Sequence, residues 1–480
     1  VELSPECLQM DPRPCINVAD LWAWEPPGVG SPRAEVCVDE GDVRLPRNPK
    51  QVPPIEGLRP ARTPRRQPQL LVCHDYKGDF PLCDRWDGCL VSDCAPFLYT
   101  YLWHIDTFCY FGHKIVTIPP PSFTSLAHRH GVSVLGTFIF EHKSGSEQLS
   151  RILSTEASAR KTIDKLVQIM QTWRFEGWLV NIEVEMEVRE IPMLVNFLQS
   201  LTAATKKANP RATVLWYDAV CTDGKLEWQN TLNCRNREFY NVCDGIFTNY
   251  GWKAKELEEC RYNRGAATVC VGIDVWGRSG GMAGWECNET VAKVLRKGLS
   301  VALFAPGWAV EAEENILGTP EDNSLRFWSS LSPVMNTRPL DFFPFKTTFC
   351  NGFSQNGKFF RLRDMDLMPH LAHSKKALVP SERGLIIKAK GKHLLWAVTG
   401  IRSNPDFRVK IKFEGPGSVA IKLDWREMKM ERINEDGTME LGPMNGECLP
   451  IKTIFVVTSE PDTVLTYFEA FEVETDRCLS

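Results

Sequence analysis

The chain has 480 residues, 43% of them hydrophobic, which is more than one ordinary domain needs and enough for a barrel plus a second module. Its 56 Lys and Arg residues against 60 Asp and Glu give a net charge of −4, so neither nucleic acid nor an anionic membrane is expected as a partner. No apolar run approaches the roughly 18–20 residues that a membrane-crossing helix needs.

Residues 1–68 form a Pro- and Arg-rich segment whose run 59–66 reads Arg-Pro-Ala-Arg-Thr-Pro-Arg-Arg. This composition predicts loose packing or partial disorder. A basic address signal is the alternative interpretation of that run. No signal peptide is apparent, but the chain begins at Val1 without Met, so an address could have preceded it.

The 17 cysteines are scattered, and their odd number fits reduced thiols in a cytosolic protein better than a disulfide framework. Cys83, Cys89 and Cys94 cluster without histidines at ligand spacing. We therefore expect no metal site and no cofactor.

From residue 69 to about residue 345, apolar strand-like runs alternate with helix-like stretches such as 162–172, 191–207 and 289–297. Eight such strands over about 250 residues predict an α/β fold, a (β/α)8 TIM barrel. The predicted strands are 70–74, 107–111, 133–138, 177–183, 213–218, 245–250, 268–275 and 300–305.

Polar and aromatic residues recur at the C-terminal ends of these strands, where a barrel of this kind carries its active site. Such a rim predicts a pocket with apolar walls for sugar rings. The residues at the strand ends are His74 with Asp75, His113, Glu141, Asn181 with Glu183, Tyr217 with Asp218, Asn249 with Tyr250 and Trp252, Asp274 with Trp276, and Trp308.

The strand Gly177–Glu183 is the most informative segment. Because side chains alternate along a strand, Leu179, Asn181 and Glu183 share one face. An amide and a carboxyl at the end of an otherwise apolar strand suit sugar chemistry. The alternative is a strand leaving the core with Glu183 merely solvated.

After about residue 345 the chain predicts an antiparallel β-sandwich over 346–480, because short strands are separated by Gly, Pro, Asn and Asp turns. Its role is either sugar binding or support for the barrel, and support is favoured since no exposed aromatic row stands out. The predicted strands are 384–388, 394–399, 407–413, 419–423, 453–457 and 465–472.

An amide beside a carboxyl departs from the two carboxyl groups that most glycosidases use. It fits a substrate whose 2-acetamido oxygen attacks the anomeric carbon and forms an oxazolinium ion. Asn181 would hold the acetamide, Tyr217 would hydrogen-bond it from the other side, and Glu183 would act as acid and then base. Walls of tryptophan would raise the pKa of Glu183.

The strand also resembles the D-x-x-D-x-D-x-E strand of family 18 chitinases. Glu176, Leu179, Asn181 and Glu183 occupy the matching positions, so only the terminal acid is unchanged.

A more specific resemblance is to the endo-β-N-acetylglucosaminidases of glycoside hydrolase family 85, in particular the cytosolic animal enzymes. The resembling motifs lie in order over about residues 70–310. They are His74-Asp75, the stretches 116–120 and 127–138, Gly177–Glu183, Leu215–Asp218, Phe247–Tyr250 with Trp252, Gly272–Val275 and Ala305–Trp308.

This resemblance implies that Asn181 orients the acetamide, Glu183 is the acid/base, and Tyr217 and Trp228 line the pocket. Val184 departs from the family pattern, which carries a second Asn there. We predict the remaining substrate-binding residues from the motifs and the rim, namely His74, Trp216, Asn249, Tyr250, Trp252, Asp274 and Trp308.

The resemblance further implies retaining hydrolysis of the bond between the two core N-acetylglucosamines of N-linked glycans and free oligosaccharides in the cytosol. Two alternatives stay open at this point. One is a chitinase-like hydrolase, and the other is an inactive barrel that only binds glycans.

Overall fold

The structure is a computed structural model. It describes residues 14–26, 68–78, 84, 97, 99, 101–262, 268–280, 282–315, 319–341, 343–350, 352–355, 358–361, 367–370, 377–403, 406–442 and 449–473.

Eight parallel strands close into a barrel, which confirms the predicted fold class. The strands of this sheet are β1 (Leu70–His74), β2 (Thr107–Tyr110), β3 (Val116–Thr117), β4 (Ser133–Glu141), β5 (Gly177–Glu183), β6 (Thr213–Tyr217), β7 (Gly245–Thr248), β8 (Val269–Asp274) and β9 (Ser300–Phe304). Strand β2 pairs with both β1 and β4, and the pairing of β2 with β4 closes the ring. The short strand β3 pairs with β4 in antiparallel fashion.

Helices cover the outside of the barrel, so that the strands are buried on both faces as parallel strands require. One of the two longest begins after an N-cap at Thr155, whose hydroxyl accepts from the Ser158 amide. The α-helices are α1 (Val18–Ala23), α2 (Pro121–Arg129), α3 (His142–Leu153), α4 (Glu156–Trp173), α5 (Ile191–Ala208), α6 (Arg237–Val242), α7 (Ala254–Arg261), α8 (Cys287–Arg296), α9 (Trp308–Glu311) and α10 (Pro320–Leu331).

Alternation along the strands separates two apolar layers. On β5, Leu179 belongs to the cluster that fills the barrel interior, whereas Trp178, Val180 and Ile182 belong to the larger cluster between strands and helices. The face predicted for β5 is therefore confirmed. Since Asn181 has the parity of Leu179, its side chain points into the barrel.

Part of the predicted N-terminal segment, residues 14–26, packs on the barrel helices, which corrects the expectation of loose packing there. The indole nitrogen of Trp22 donates to the Thr162 hydroxyl at 2.9 Å, and the Val18 amide donates to Gln148 at 3.0 Å. Residues 1–13 and 27–67, including the arginine-rich run, lie outside the described residues.

The C-terminal region forms two antiparallel sheets around a separate apolar core, as predicted. The strands are β10 (Phe345–Thr347), β11 (Gly352–Gln355), β12 (Lys358–Arg361), β13 (Leu378–Ser381), β14 (Gly384–Ile387), β15 (Gly391–Ser403), β16 (Phe407–Glu414), β17 (Val419–Leu423), β18 (Arg426–Glu427), β19 (Lys429–Ile433), β20 (Met439–Gly442), β21 (Leu449–Thr458) and β22 (Thr463–Glu472). One sheet has the strand order β13-β14-β22-β16-β20-β19, and β10 also pairs with β22. The other sheet has the order β15-β21-β17-β18, and β11 and β12 pair with each other.

A buried arginine joins the segment after α10 to the N-terminal ends of the barrel strands. The Arg338 guanidinium donates to the Ile105 carbonyl at 3.0 Å and to the His130 carbonyl. The His130 ring in turn accepts from the Met368 amide at 3.3 Å. The sandwich therefore meets the barrel at the end opposite the C-terminal strand ends.

Every cysteine in the described part of the chain carries a free thiol. Within the same residues, no helix combines the length and the hydrophobicity needed to cross a membrane.

Candidate active site

The C-terminal end of β5 carries Asn181 and Glu183 into the mouth of the barrel, above the apolar side chains that fill its interior. Asn181 is 3% exposed, and Glu183 is partly exposed. The indole nitrogen of Trp228 donates to Glu183 Oε1 at 3.4 Å. A carboxyl group that is mostly buried yet reachable from the pocket is suited to proton transfer.

A second carboxyl lies directly beside Glu183. The register of β4 and β5 pairs Glu141 with Glu183, and the two side chains are hydrogen-bonded to each other. Burial, followed by the negative charge of Glu141, raises the pKa of Glu183 to about 7, whereas the hydrogen bond from Trp228 opposes the rise. The expectation of a raised pKa agrees with this.

Glu141 has the opposite electrostatic environment. Burial alone would raise its pKa, but the hydrogen bond and charge of His113, with a further contribution from His142, hold the pKa below its usual value. His113 Nδ1 lies 3.0 Å from Glu141 Oε2. The pair therefore divides into a carboxylate at Glu141 and a group that retains its proton near neutral pH at Glu183.

The side-chain amide of Asn181 has a hydrogen-bond partner in Glu183, but its Oδ1 atom receives no hydrogen bond from the described part of the chain. Burial leaves Oδ1 out of contact with water. Among the described residues, none donates to Oδ1. A buried acceptor without a donor costs free energy unless a ligand supplies one.

Tyr217 lies on the neighbouring strand with its ring inside the barrel. Its hydroxyl donates to Asn249 Oδ1 at 3.0 Å and is hydrogen-bonded to Tyr250. Burial, followed by the charge of Glu183, raises the pKa of Tyr217 well above its usual range, so the hydroxyl keeps its proton. Tyr217, Asn249 and Tyr250 thus lie together on one side of Glu183.

The loop that carries Trp228 is held by Asp218, a buried carboxylate at the end of β6. Burial raises the pKa of Asp218 to about 6, and the hydrogen bonds that it accepts oppose the rise. The four donors are the backbone amides of Gln229 at 3.2 Å, Asn230 at 2.6 Å and Asn249 at 3.4 Å, and Asn236 Nδ2 at 3.0 Å.

The same loop is attached to the loop after β5. The Met186 amide donates to the Gly224 carbonyl at 2.9 Å. Gly224 has a φ of +80°, and a Cβ there would lie 2.1 Å from the Met186 carbonyl oxygen. Only glycine permits this approach, so the loops that present Glu183 and Trp228 are fixed to each other.

The structure places three of the predicted binding residues in packed surroundings. His74 is 1% exposed on the helix side of β1, with its ring nitrogens on Tyr99 at 2.7 Å and Asp84 at 2.9 Å. Trp216 is fully buried on the helix side of β6. Trp308 packs edge-on against Trp285. His74 and Trp216 occupy strand positions whose side chains point toward the helices, and Trp308 packs as a core residue does.

Two other predicted residues support the rim through their own loops. Trp252 donates its indole N–H to the Gly272 carbonyl at 2.7 Å. Asp274 accepts two hydrogen bonds at 2.9 Å from the guanidinium of Arg278, one on each carboxylate oxygen. Their polar atoms already have protein partners.

Glu141 and His113 were placed at strand ends by the sequence but were not included among the predicted site residues. The signal that could have found them is that two sequential strands, β4 and β5, both end on glutamate. Among the described residues, no three His, Cys, Asp or Glu side chains are close enough to hold a metal ion.

An acid and an amide therefore lie together at the C-terminal end of one strand of a closed (β/α)8 barrel. Residues 87–357 match glycosyl hydrolase family 85. The chain belongs to this family, which confirms the resemblance seen in the sequence.

Curated relatives are named cytosolic endo-beta-N-acetylglucosaminidase. The one from Homo sapiens is 38% identical over 70% of this chain and 43% of its own length, and the one from Mus musculus is 42% identical over 61% and 40%. The chain spans about two fifths of these relatives. The glycoside hydrolase domain of Endo-D from Streptococcus pneumoniae R6 shares the fold, with a TM-score of 0.63 and 14% identity over 97% of this chain and 84% of that chain.

The structure assigns different tasks to two tryptophans of the predicted site, and a pair of variants tests this. Trp228→Phe removes a donor to Glu183, so the pKa of Glu183 should rise above about 7. Trp216→Phe should leave that titration unchanged and should lower the free energy of unfolding by about 1–3 kcal/mol. Carboxyl NMR and denaturant unfolding measure the two effects. Equal shifts of the Glu183 titration in both variants would contradict the assignment.

Proposed function

We propose that this chain hydrolyses the GlcNAc-β-1,4-GlcNAc bond in the chitobiose core of N-linked glycans and free oligosaccharides, in the cytosol. The observation that carries this proposal is the Asn181 amide beside Glu183, whose buried Oδ1 receives no hydrogen bond from any described residue. A substrate that turns this amide toward itself at the barrel mouth can supply the missing donor from the N–H of its 2-acetamido group, which orders that group next to the acid. Family membership and the names of the relatives support the substrate class and the compartment.

In the first step, the acetamide carbonyl oxygen attacks the anomeric carbon while the bond to the leaving oxygen breaks. Glu183 donates its proton to that oxygen, and an oxazolinium ion forms with its positive charge next to Asn181. The hydroxyl of Tyr217, which keeps its proton, hydrogen-bonds the acetamide from the other side.

In the second step, water attacks the anomeric carbon from the face that the leaving group vacated. The Glu183 carboxylate accepts a proton from this water, and the bond between the acetamide oxygen and the anomeric carbon breaks. Two inversions give retention, and Glu183 returns to its starting protonation state.

A side-by-side assay tests the function. A high-mannose glycopeptide and a chitin oligomer are offered to the native chain, to Glu183→Gln and to Glu185→Gln. We expect cleavage of the glycopeptide between its two core GlcNAc residues by the native chain and by the Glu185 variant, since Glu185 is exposed on the following loop. Glu183→Gln should bind but cleave at least about 10²-fold more slowly.

Each remaining outcome of that assay identifies a different protein. Cleavage of the chitin oligomer with the glycopeptide left intact would favour a chitinase-like hydrolase. Binding of the glycopeptide without cleavage by any of the three chains would favour a glycan-binding barrel.

Asn181→Ala should separate the two steps. Without the acceptor for the acetamide N–H, hydrolysis of natural glycans should fall on the order of 10²–10³-fold. A preformed glycan oxazoline already contains the cyclised intermediate, so its transfer to an N-acetylglucosamine acceptor should persist, with Glu183 as base. The two rates are compared at unchanged melting temperature, and a parallel loss of both reactions would refute substrate assistance through Asn181.

The pH dependence follows from the protonation of Glu183. Because its pKa is raised from 4.5 to about 7, the proton needed for glycan cleavage is present below that pH and is lost above it. Glycan cleavage should therefore decline as the pH rises through about 7, while use of the oxazoline should decline as the pH falls below it. Profiles of kcat/KM against pH measure both limbs. An alkaline limb near pH 4.5 would contradict the environment described for Glu183.

A further inference from the structure

We propose that Glu141, held by His113, is a positioning residue that keeps the proton on Glu183 before cleavage and sets the pH range of both steps. This inference rests on the function proposed above. It goes beyond it because it assigns the state of the acid to a second side chain that does not contact the bond being cut.

The backbone fixes the distance between the two carboxyl groups. Glu141 and Glu183 are register partners at the ends of adjacent parallel strands and have the same parity. Their side chains therefore point into the same part of the barrel mouth and interact there. Two carboxyl groups in such a site are more stable with a proton on one of them, because two carboxylates repel each other and offer only acceptors.

The surroundings decide which carboxyl holds that proton. His113 lies on the loop after β2, with its Nδ1 3.0 Å from Glu141 Oε2, and its ring packs edge-on against Phe111. His142, the residue after Glu141, adds a second positive influence. Both imidazoles lie on the Glu141 side of the pair, so the carboxylate form is favoured there.

On the other side of the pair, Glu183 receives weaker stabilisation of its charge. Its donors are the Trp228 indole at 3.4 Å and the Asn181 amide, which are both neutral. Tyr217, on the next strand, is also neutral, because burial, followed by the charge of Glu183, raises its pKa. The proton therefore stays on Glu183, which faces the pocket.

The pair of Glu141 and Glu183 also favours the return of a proton to Glu183 in the second step. When Glu183 gives its proton to the leaving oxygen, two carboxylates stand in contact in a mostly buried site, and their repulsion makes Glu183 a stronger base. It then recovers a proton from the attacking water. Glu141 neither gains nor loses a proton in the cycle, so the atoms and charges balance.

The test is the pH profile of Glu141→Gln with two donors, a natural glycan and its preformed oxazoline. Removal of the neighbouring charge should lower the pKa of Glu183 by about one unit. The alkaline limb of glycan cleavage and the acidic limb of oxazoline use should then both move to lower pH by that amount. At pH values above the alkaline limb, the rate of glycan cleavage by Glu141→Gln should be about tenfold lower than that of the native chain. A purely structural defect would lower both rates without moving either limb.

Two further variants complete the design. His113→Gln keeps a hydrogen-bond donor but removes a positive charge, so both limbs should move to higher pH, opposite to Glu141→Gln. Glu185→Gln, an exposed carboxyl outside the pair, should leave both limbs in place. Melting temperatures establish that each variant is folded, and if Glu141→Gln is not, the direction of the His113→Gln shift decides.

The outcomes distinguish the two proposals. Limbs that stay in place in both Glu141→Gln and His113→Gln, in a chain that cleaves the glycan, would overturn the role of Glu141 and leave the proposed function standing. A native chain that uses neither donor would overturn the proposed function and this inference with it.

Discussion

The register between β4 and β5 determines the electrostatics of the whole site. It brings Glu141 and Glu183 into contact above an apolar interior, where two negative charges are costly together. This cost is reduced because Glu183 keeps its proton and because the imidazole of His113 lies next to Glu141. A shift of one residue in that pairing would turn one carboxyl toward the helices, so the chemistry depends on the barrel being closed in this register.

The loops above the pair are ordered by a second buried carboxylate, Asp218. It accepts from four donors that belong to the loop after β6 and to the start of the loop after β7. Asn230 extends the network, because its Oδ1 accepts from the Gly251 amide at 2.7 Å. The position of Trp228 over Glu183 is thus set by polar groups that lie beneath the loop and that a sugar need not contact.

Much of the barrel was predictable because buried parallel strands are apolar on both faces and end at polar residues. The bounds of β1 and β5 were predicted without error, and the other barrel strands differ by a few residues at their ends. Asn181, Glu183 and Tyr217 were predicted as site residues because parity and chemistry agree for each of them, and the structure brings them together at the barrel mouth. His74 and Trp216 were predicted for the rim because each lies near the end of a strand, although its parity turns it toward the helices.

The contribution of Glu141 to the raised pKa of Glu183, which comes second to that of burial, could not be predicted, since it depends on which strands are neighbours and how they align. The tryptophans that the sequence offers are divided by the fold: Trp216 is buried behind the strand, and Trp228 donates a hydrogen bond that lowers the pKa. Glu141, which supplies the charge, lies 42 positions away in the chain from Glu183. An interaction between two such carboxyl groups can be identified only when the register of the neighbouring strands is known.

The attachment of the sandwich bears on whether it takes part in the chemistry. Arg338 donates to carbonyls of Leu102, Ile105, His130 and Gly131, all before the N-terminal ends of β2 and β4. In barrels of this class, that end contributes to stability, and the opposite end carries the active site. A guanidinium that is buried among carbonyl groups makes this junction costly to break. The geometry therefore places the sandwich at the end of the barrel opposite the candidate active site.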